Sequence, residues 1–319
     1  YAFRDPHGIR PLVLGRLGSP EDNSWVVASE TCALDIVGAT FIREVEPGEI
    51  IKISDDGLRS ERGLTHRDPA ACIFEDVYFS RPDSVVDGRS IYWVRHTMGR
   101  QLARETSVDA DLVIGVPDSG VPAAEGFAAE LGIPFGTGLI KNRYVARTFI
   151  QPTQDLRRLG VRLKLNALAD VVRGKRLVMV DDSVVRGTTS KQIVRILRDA
   201  GACEVHVRSA SPKVMWPCFY GIDTADQDQL IAAYKTTEEI CEYIEADSLG
   251  FLSLEGLLDC VPKRGYCAAC FNGHYPVEIP DDFHERFVSG MCPHALNCSH
   301  ALTFTQVETQ LAQKGPLDV

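Results

Sequence analysis

No run of about eighteen uncharged apolar residues occurs anywhere in the 319 residues, so no segment reads as a transmembrane helix. Basic charge is also short. Lys and Arg number 34 against 44 Asp and Glu, and a net charge of −10 argues against a general nucleic-acid binder. Internal repeats and low-complexity tracts are lacking. The chain starts at Tyr1 rather than Met, with no basic-then-apolar leader behind it, so it reads as a mature product or a fragment of a cytoplasmic protein. What is present is ordinary for a folded protein. Hydrophobic residues make up 45% and charged residues 24%, which excludes global disorder, and the length suggests about two domains with a large core.

Within this acidic chain the residues from Lys141 to Asn166 hold seven basic side chains and one acid, Asp155. A single basic island points to one anionic ligand rather than a long polyanion, and a solvated surface loop is the plain alternative. Ten cysteines are scattered along the chain. In a large chain without a secretory leader they read as buried, catalytic or metal-binding rather than as a disulfide framework.

Residues 1 to about 70 are β-rich. Ile9–Gly15, Ser24–Ser29 and Glu49–Ile53 are short apolar stretches divided by turn signals, without strand–helix–strand alternation. From about residue 85 the pattern changes. Ile91, Val94, Met98 and Leu102 recur at helical spacing. A strand at Leu112–Val116, an alanine-rich helix over Pro122–Leu131, an apolar run at Ile133–Ile140, a strand at Leu177–Val180, a helix over Ser190–Ala200 and a strand at Val205–Ala210 follow. Strands alternating with helices predict an α/β fold with a parallel sheet, whose ligands sit beyond the carboxyl ends of the strands. Residues 280–319 show no pattern and are expected to be a tail.

The sharpest signal is Val178-Met179-Val180-Asp181-Asp182-Ser183-Val184-Val185-Arg186-Gly187-Thr188-Thr189-Ser190. An apolar strand delivers two adjacent carboxylates to its carboxyl end, and a Gly-Thr-Thr-Ser turn opens a helix. A phosphorylated sugar would use every part. Gly187 lets backbone approach closely, and the Thr188 and Thr189 hydroxyls with the helix N-terminal N–H groups can cradle a phosphate. Asp181 and Asp182 offer acceptors to vicinal hydroxyls or to hydrated Mg²⁺. The plain alternative is a strand-to-helix turn with Thr189 or Ser190 as N-cap.

This stretch resembles the phosphoribosyl-pyrophosphate loop of type I phosphoribosyltransferases. Further blocks in the same order resemble the amidophosphoribosyltransferases, or glutamine phosphoribosylpyrophosphate amidotransferases, from residue 1 to about 275. These blocks are Arg4-Asp5-Pro6-His7-Gly8-Ile9-Arg10-Pro11-Leu12, Gly115-Val116-Pro117-Asp118-Ser119-Gly120, Lys141-Asn142-Arg143-Tyr144 with Arg147-Thr148-Phe149-Ile150, and Pro217-Cys218-Phe219-Tyr220-Gly221-Ile222-Asp223. The resemblance implies a type I phosphoribosyltransferase sheet over residues 76–275. Before it would stand the C-terminal half of a β-rich N-terminal-nucleophile glutaminase domain over 1–75, and after it a tail over 276–319. It implies one Mg²⁺ per subunit on Ser119, Asp181 and Asp182, and substrate contacts from Asp118, Ser119, Asp181, Asp182, Ser183, Arg186, Gly187, Thr188 and Thr189. A catalytic loop would carry Lys141, Arg143, Tyr144 and Arg147 over the leaving pyrophosphate.

The expected reaction forms 5-phosphoribosylamine, pyrophosphate and glutamate from phosphoribosyl pyrophosphate, glutamine and water, the first step of purine biosynthesis. Members with cysteines at the places of Cys72, Cys218, Cys267 and Cys270 hold one [4Fe–4S] cluster per subunit, and tetrahedral zinc is the chemical alternative for such a set. Purine nucleotide inhibitors and a homo-oligomer follow from the same resemblance, with no nucleic acid or membrane partner. The family's glutaminase nucleophile is a cysteine upstream of the residues shown, and the Tyr1 phenol is no substitute for its thiolate, so no glutaminase catalytic residue is expected here. A nucleobase phosphoribosyltransferase, or a non-catalytic phosphoribosyl-pyrophosphate-binding regulator, would share the Asp181–Ser190 loop. Cys292-Pro293-His294 with Cys298-Ser299-His300 matches no metal spacing, and Cys32, Cys203, Cys241 and Cys260 read as small buried apolar residues.

Overall fold

The computed structural model describes residues 1–19, 24–63, 67–142, 165–222, 224, 226–262 and 265–280. The centre is a four-stranded parallel sheet in the order Leu112–Gly115, Arg176–Asp181, Glu204–Ser209, Ser248–Phe251. The first two of these strands are buried on both faces, which is why they read as continuous apolar runs. Alternation along Arg176–Asp181 divides them. Leu177 and Met179 face a core built with Ile193, Val194, Leu197 and Ile240. Val178 and Val180 face a second core with Val94, Met98, Leu102, Ala124 and Phe127.

Helix Ile91–Glu105 packs along helix Val121–Leu131 with backbone nearly touching backbone. A Cβ on Gly99 would stand 1.8 Å from the Ala123 carbonyl oxygen, and one on Gly126 would stand 1.9 Å from that of His96. The strand Ser248–Phe251 at the sheet's far edge and the helices on either side of it, Thr237–Ile244 and Leu254–Cys260, lie where the sequence pattern predicts no element. Helix Thr188–Asp199 starts two residues earlier than its apolar spacing suggests.

The first seventy residues form two three-stranded antiparallel sheets, one ordering Ala2–Phe3, Glu49–Ser54 and Gly57–Arg62, the other Trp25–Ala28, Val13–Arg16 and Thr40–Glu44. A helix at Thr31–Val37, ended by Gly38 in the left-handed region, interrupts the expected all-strand pattern. Its seven residues are too few to show a helical period. Ala71–Cys72 then pairs in parallel with Tyr266–Cys267, tying this part to the far end of the described chain. Among the described residues no helix is long and apolar enough to cross a membrane.

Glu49 fastens the first sheet. Its buried carboxylate takes both Arg43 Nη atoms, at 2.8 and 2.5 Å, the Glu46 N–H at 2.7 Å and the Ser60 hydroxyl. The Arg43 hydrogen bonds hold its pKa down to about 2, from an ordinary 4.5. A depressed carboxyl contributes stability above its unfolded value and loses it as pH falls toward the folded one. Glu49→Gln is therefore expected to lower stability at pH 7 by about 1–3 kcal/mol. The difference from the native chain should close between about pH 4.5 and pH 2, as read by denaturant unfolding at each pH.

Candidate active site

Register brings two turns to one sheet edge. Gly115 pairs with Val180, so the Pro117–Gly120 turn and the Asp181–Gly187 turn leave neighbouring strands side by side. Gly120 is pressed against the second strand, where a Cβ would stand 2.7 Å from the Val180 carbonyl oxygen and 3.2 Å from Asp181 Cα. The bond between Pro117 and Asp118 is cis. Ser119 Oγ donates to Asp182 Oδ2, closing one turn onto the other, and Ser183 Oγ donates to Asp182 Oδ1 at 2.7 Å. Asp181 Oδ1 accepts the Asp182 N–H at 3.0 Å.

Asp181 and Asp182 are only 7% and 8% exposed, and neither makes an ion pair among the described residues. Burial pushes both carboxyls up. For Asp181 the neighbouring Asp182 charge adds to the rise, whereas Ser119, Ser183 and the Arg95 charge partly offset it for Asp182. With Ser119 the two buried carboxyls make a hard oxygen donor set that could hold a cation.

The rest of the turn is open. Arg186, Thr188 and Thr189 are exposed, Gly187 is buried at φ +72°, and the helix starts at Thr188 with Gly187 as N-cap. Thr189 and Ser190 are therefore not caps: the first N–H groups of this helix have no capping side chain. A Cβ on Gly187 would stand 3.0 Å from Ile231 Cδ1 and 3.2 Å from Tyr243 Cε1, so a side chain there would crowd both. Lys141 ends the strand Leu139–Lys141, which pairs antiparallel with Leu165–Ala167, so both ends of the basic island are anchored beside the site. Its Nζ meets Asp118 Oδ2 at 2.6 Å. Arg143, Tyr144 and Arg147 lie outside the described residues.

Arg95 is a site neighbour that no sequence motif singles out. It is 2% exposed, donating from Nε to the Asp76 carbonyl at 2.8 Å and from Nη2 to that of Ser80 at 2.7 Å. The available signal is an arginine four residues after Ile91, on the buried stripe of its helix.

The cysteine set converges from three places. Cys72 and Cys267 are in register, and the Cys270 carbonyl accepts the N–H groups of Met215, at 2.9 Å, and Trp216, at 3.1 Å, drawing Cys218 in. Cys218 Sγ accepts the Tyr220 N–H at 3.4 Å. Burial raises the thiols of Cys72, to about 12, and of Cys267 and Cys270, and the sulfurs also act on one another. Among the described residues no three His, Cys, Asp or Glu close on a single metal ion. Of the cysteines read as buried, Cys32 and Cys260 are so, Cys241 is half-buried and Cys203 is exposed. Cys203 stands in the turn just before the strand Glu204–Ser209, where no sheet or helix period turns its side chain inward. Cys292, His294, Cys298 and His300 lie outside the described residues.

Residues 96–210, which include the first three strands of the parallel sheet and both turns of the site, match the family model "Phosphoribosyl transferase domain". Over 280 residues the chain is 60% identical to the amidophosphoribosyltransferase of Synechocystis, covering 87% of this chain and 56% of that protein. The Bacillus subtilis amidophosphoribosyltransferase is 55% identical over 284 residues, 87% of this chain and 59% of the relative. A solved structure of glutamine phosphoribosylpyrophosphate amidotransferase from B. subtilis, complexed with ADP and GMP, superimposes with a TM-score of 0.79 at 55% identity, covering 87% of this chain and 62% of that one. The chain belongs to the amidophosphoribosyltransferase family, and it spans a little over half the length of these curated relatives.

Deleting two buried charges removes a desolvation penalty from the folded state. The double variant Asp181→Asn, Asp182→Asn is expected to unfold at or above the native temperature at pH 8 without added metal, as measured by calorimetry.

Proposed function

We propose that this chain carries the transferase site of an amidophosphoribosyltransferase, in which ammonia displaces pyrophosphate from C1 of phosphoribosyl pyrophosphate to form 5-phosphoribosylamine. The buried Asp181–Asp182 pair, tied to Ser119 and without an ion-pair partner among the described residues, carries this reading. In the whole protein the ammonia comes from glutamine, leaving glutamate, and the step opens purine biosynthesis. The division at about residues 75 and 275 separates a glutaminase part, the transferase and a tail.

Asp181 and Asp182 hold the ribose hydroxyls and, with Ser119, one Mg²⁺. The ion would supply charge neutralisation for the departing pyrophosphate. Thr188, Thr189 and the uncapped N–H groups bind the 5-phosphate, while Ser183 and Arg186 border it. Lys141, with Arg143, Tyr144 and Arg147, serves the pyrophosphate. No side chain acts as nucleophile: fixing both ends of the substrate orients C1 for attack, and that orientation supplies the rate. Purine nucleotides are phosphorylated ribosides able to use the same contacts. The ADP and GMP in the B. subtilis structure support feedback inhibition here, and a homo-oligomer is proposed with it.

The thiols of Cys72, Cys218, Cys267 and Cys270 are assigned to a [4Fe–4S] cluster. Cys72 and Cys267 lie in register, and the segment carrying Cys218 is hydrogen-bonded to the Cys270 carbonyl; four such thiolates suit a cubane, with tetrahedral zinc as the chemical alternative. The raised pKa values of Cys72, Cys267 and Cys270 mean that protons leave as metal binds. A cytoplasmic, reducing setting suits such a set.

A nucleobase phosphoribosyltransferase or a sensor would have no use for the antiparallel sheets of residues 1–62 or for these thiols. The test is pyrophosphate release with ammonia above pH 8, or with a purine base in its place. Ammonia should support turnover and the base should not, and Asp181→Asn with Asp182→Asn should cut the rate by at least about a hundredfold as charged hydrogen bonds are lost. Near-normal turnover by that variant would sink the assignment. Protein purified without oxygen should be brown, with about four irons and four sulfides per chain. Cys218→Ser or Cys267→Ser should remove the colour, and stoichiometric zinc without sulfide would overturn the cluster.

A further inference from the structure

Asp118 is an acid at the mouth of a site built for a polyanion. Facing a diphosphate directly it would repel it, so its value has to come from what it holds. What it holds is Lys141, Nζ to Oδ2 at 2.6 Å, with the two side chains 53% (Lys141) and 74% (Asp118) exposed. The acid cannot drift away, because Ser119 beside it is bonded to Asp182 and Gly120 is wedged against the Val180 carbonyl. The lysine is equally anchored, at the end of a strand whose partner Leu165–Ala167 is in register with it. The ion pair therefore bridges the pyrophosphate-side turn and the base of the basic island.

We propose that Asp118 is a positioning residue that parks the Lys141 ammonium beside the site and competes with the ligand's diphosphate for it. This rests on the phosphoribosyl-pyrophosphate reading above and assigns Asp118 to the lysine, not to the substrate. An exposed pair is weak enough to exchange: it holds Lys141 near the diphosphate position without trapping it there. A bound diphosphate, with its larger charge, takes the ammonium over, and Asp118 takes it back as pyrophosphate departs. The acid thus loosens ground-state and product binding while keeping the lysine in place.

The experiment titrates inorganic pyrophosphate with Mg²⁺ into the native chain, Asp118→Asn, Lys141→Gln and the double variant, by calorimetry at low and high salt. Asp118→Asn should bind roughly two- to fivefold tighter, the weight of one exposed ion pair. The gain should vanish in the Lys141→Gln background and shrink at high salt. In turnover, Asp118→Asn should lower KM for phosphoribosyl pyrophosphate together with kcat, because product is held longer, and Asp118→Glu should restore both. Unchanged or weaker binding by Asp118→Asn overturns the proposal, as does an equal gain with Lys141 absent, which would mean plain repulsion. A native chain that binds no pyrophosphate fails the underlying reading, and the proposal falls with it.

Discussion

Two carboxylates lie next to each other at the buried end of a central parallel strand, and the rest of the site is arranged around the difficulty that creates. Asp181 and Asp182 cannot both ionise comfortably where burial removes water and neighbouring charge is of the same sign. The hydroxyls of Ser119 and Ser183 relieve Asp182 in part, and Arg95 adds distant positive charge from beneath. None of these cancels the pair. The pair is thus the chain's least comfortable point, which is why the proposed cation and sugar are placed there.

The surrounding backbone is packed closely around that point. Tight contact between helices at Gly99 and Gly126 fixes the layer under the sheet, and Gly120 presses one turn onto the next strand. Asp182, Ser119 and the open N-terminus of helix Thr188–Asp199 are then presented from different elements at one edge. Such preorganisation suits a reaction whose barrier falls mainly through orientation and charge placement.

How much of this is legible in the sequence depends on how strictly local pattern tracks burial. The strand Arg176–Asp181 is buried on both faces, so it reads as an unbroken apolar run, and the acids after it stand out. Helix Thr31–Val37 and strand Ser248–Phe251 are short and mixed in polarity, with stability drawn from neighbours rather than from their own periodicity. Arg95 hides in an apolar stripe because its guanidinium is satisfied by backbone carbonyls, which no sequence pattern announces. The Ser119–Asp182 and Lys141–Asp118 contacts depend on strand order, and only the folded sheet supplies that. The family blocks are legible because their residues are chemically unusual together, not because any one is decisive.

The in-register pairing of Cys72 with Cys267 joins strands separated by most of the described chain. Pairing residues this far apart in sequence closes a long loop, a cost that the folded structure offsets. The fold is what brings these cysteine segments together, so an unfolded chain offers scattered thiols and no common site.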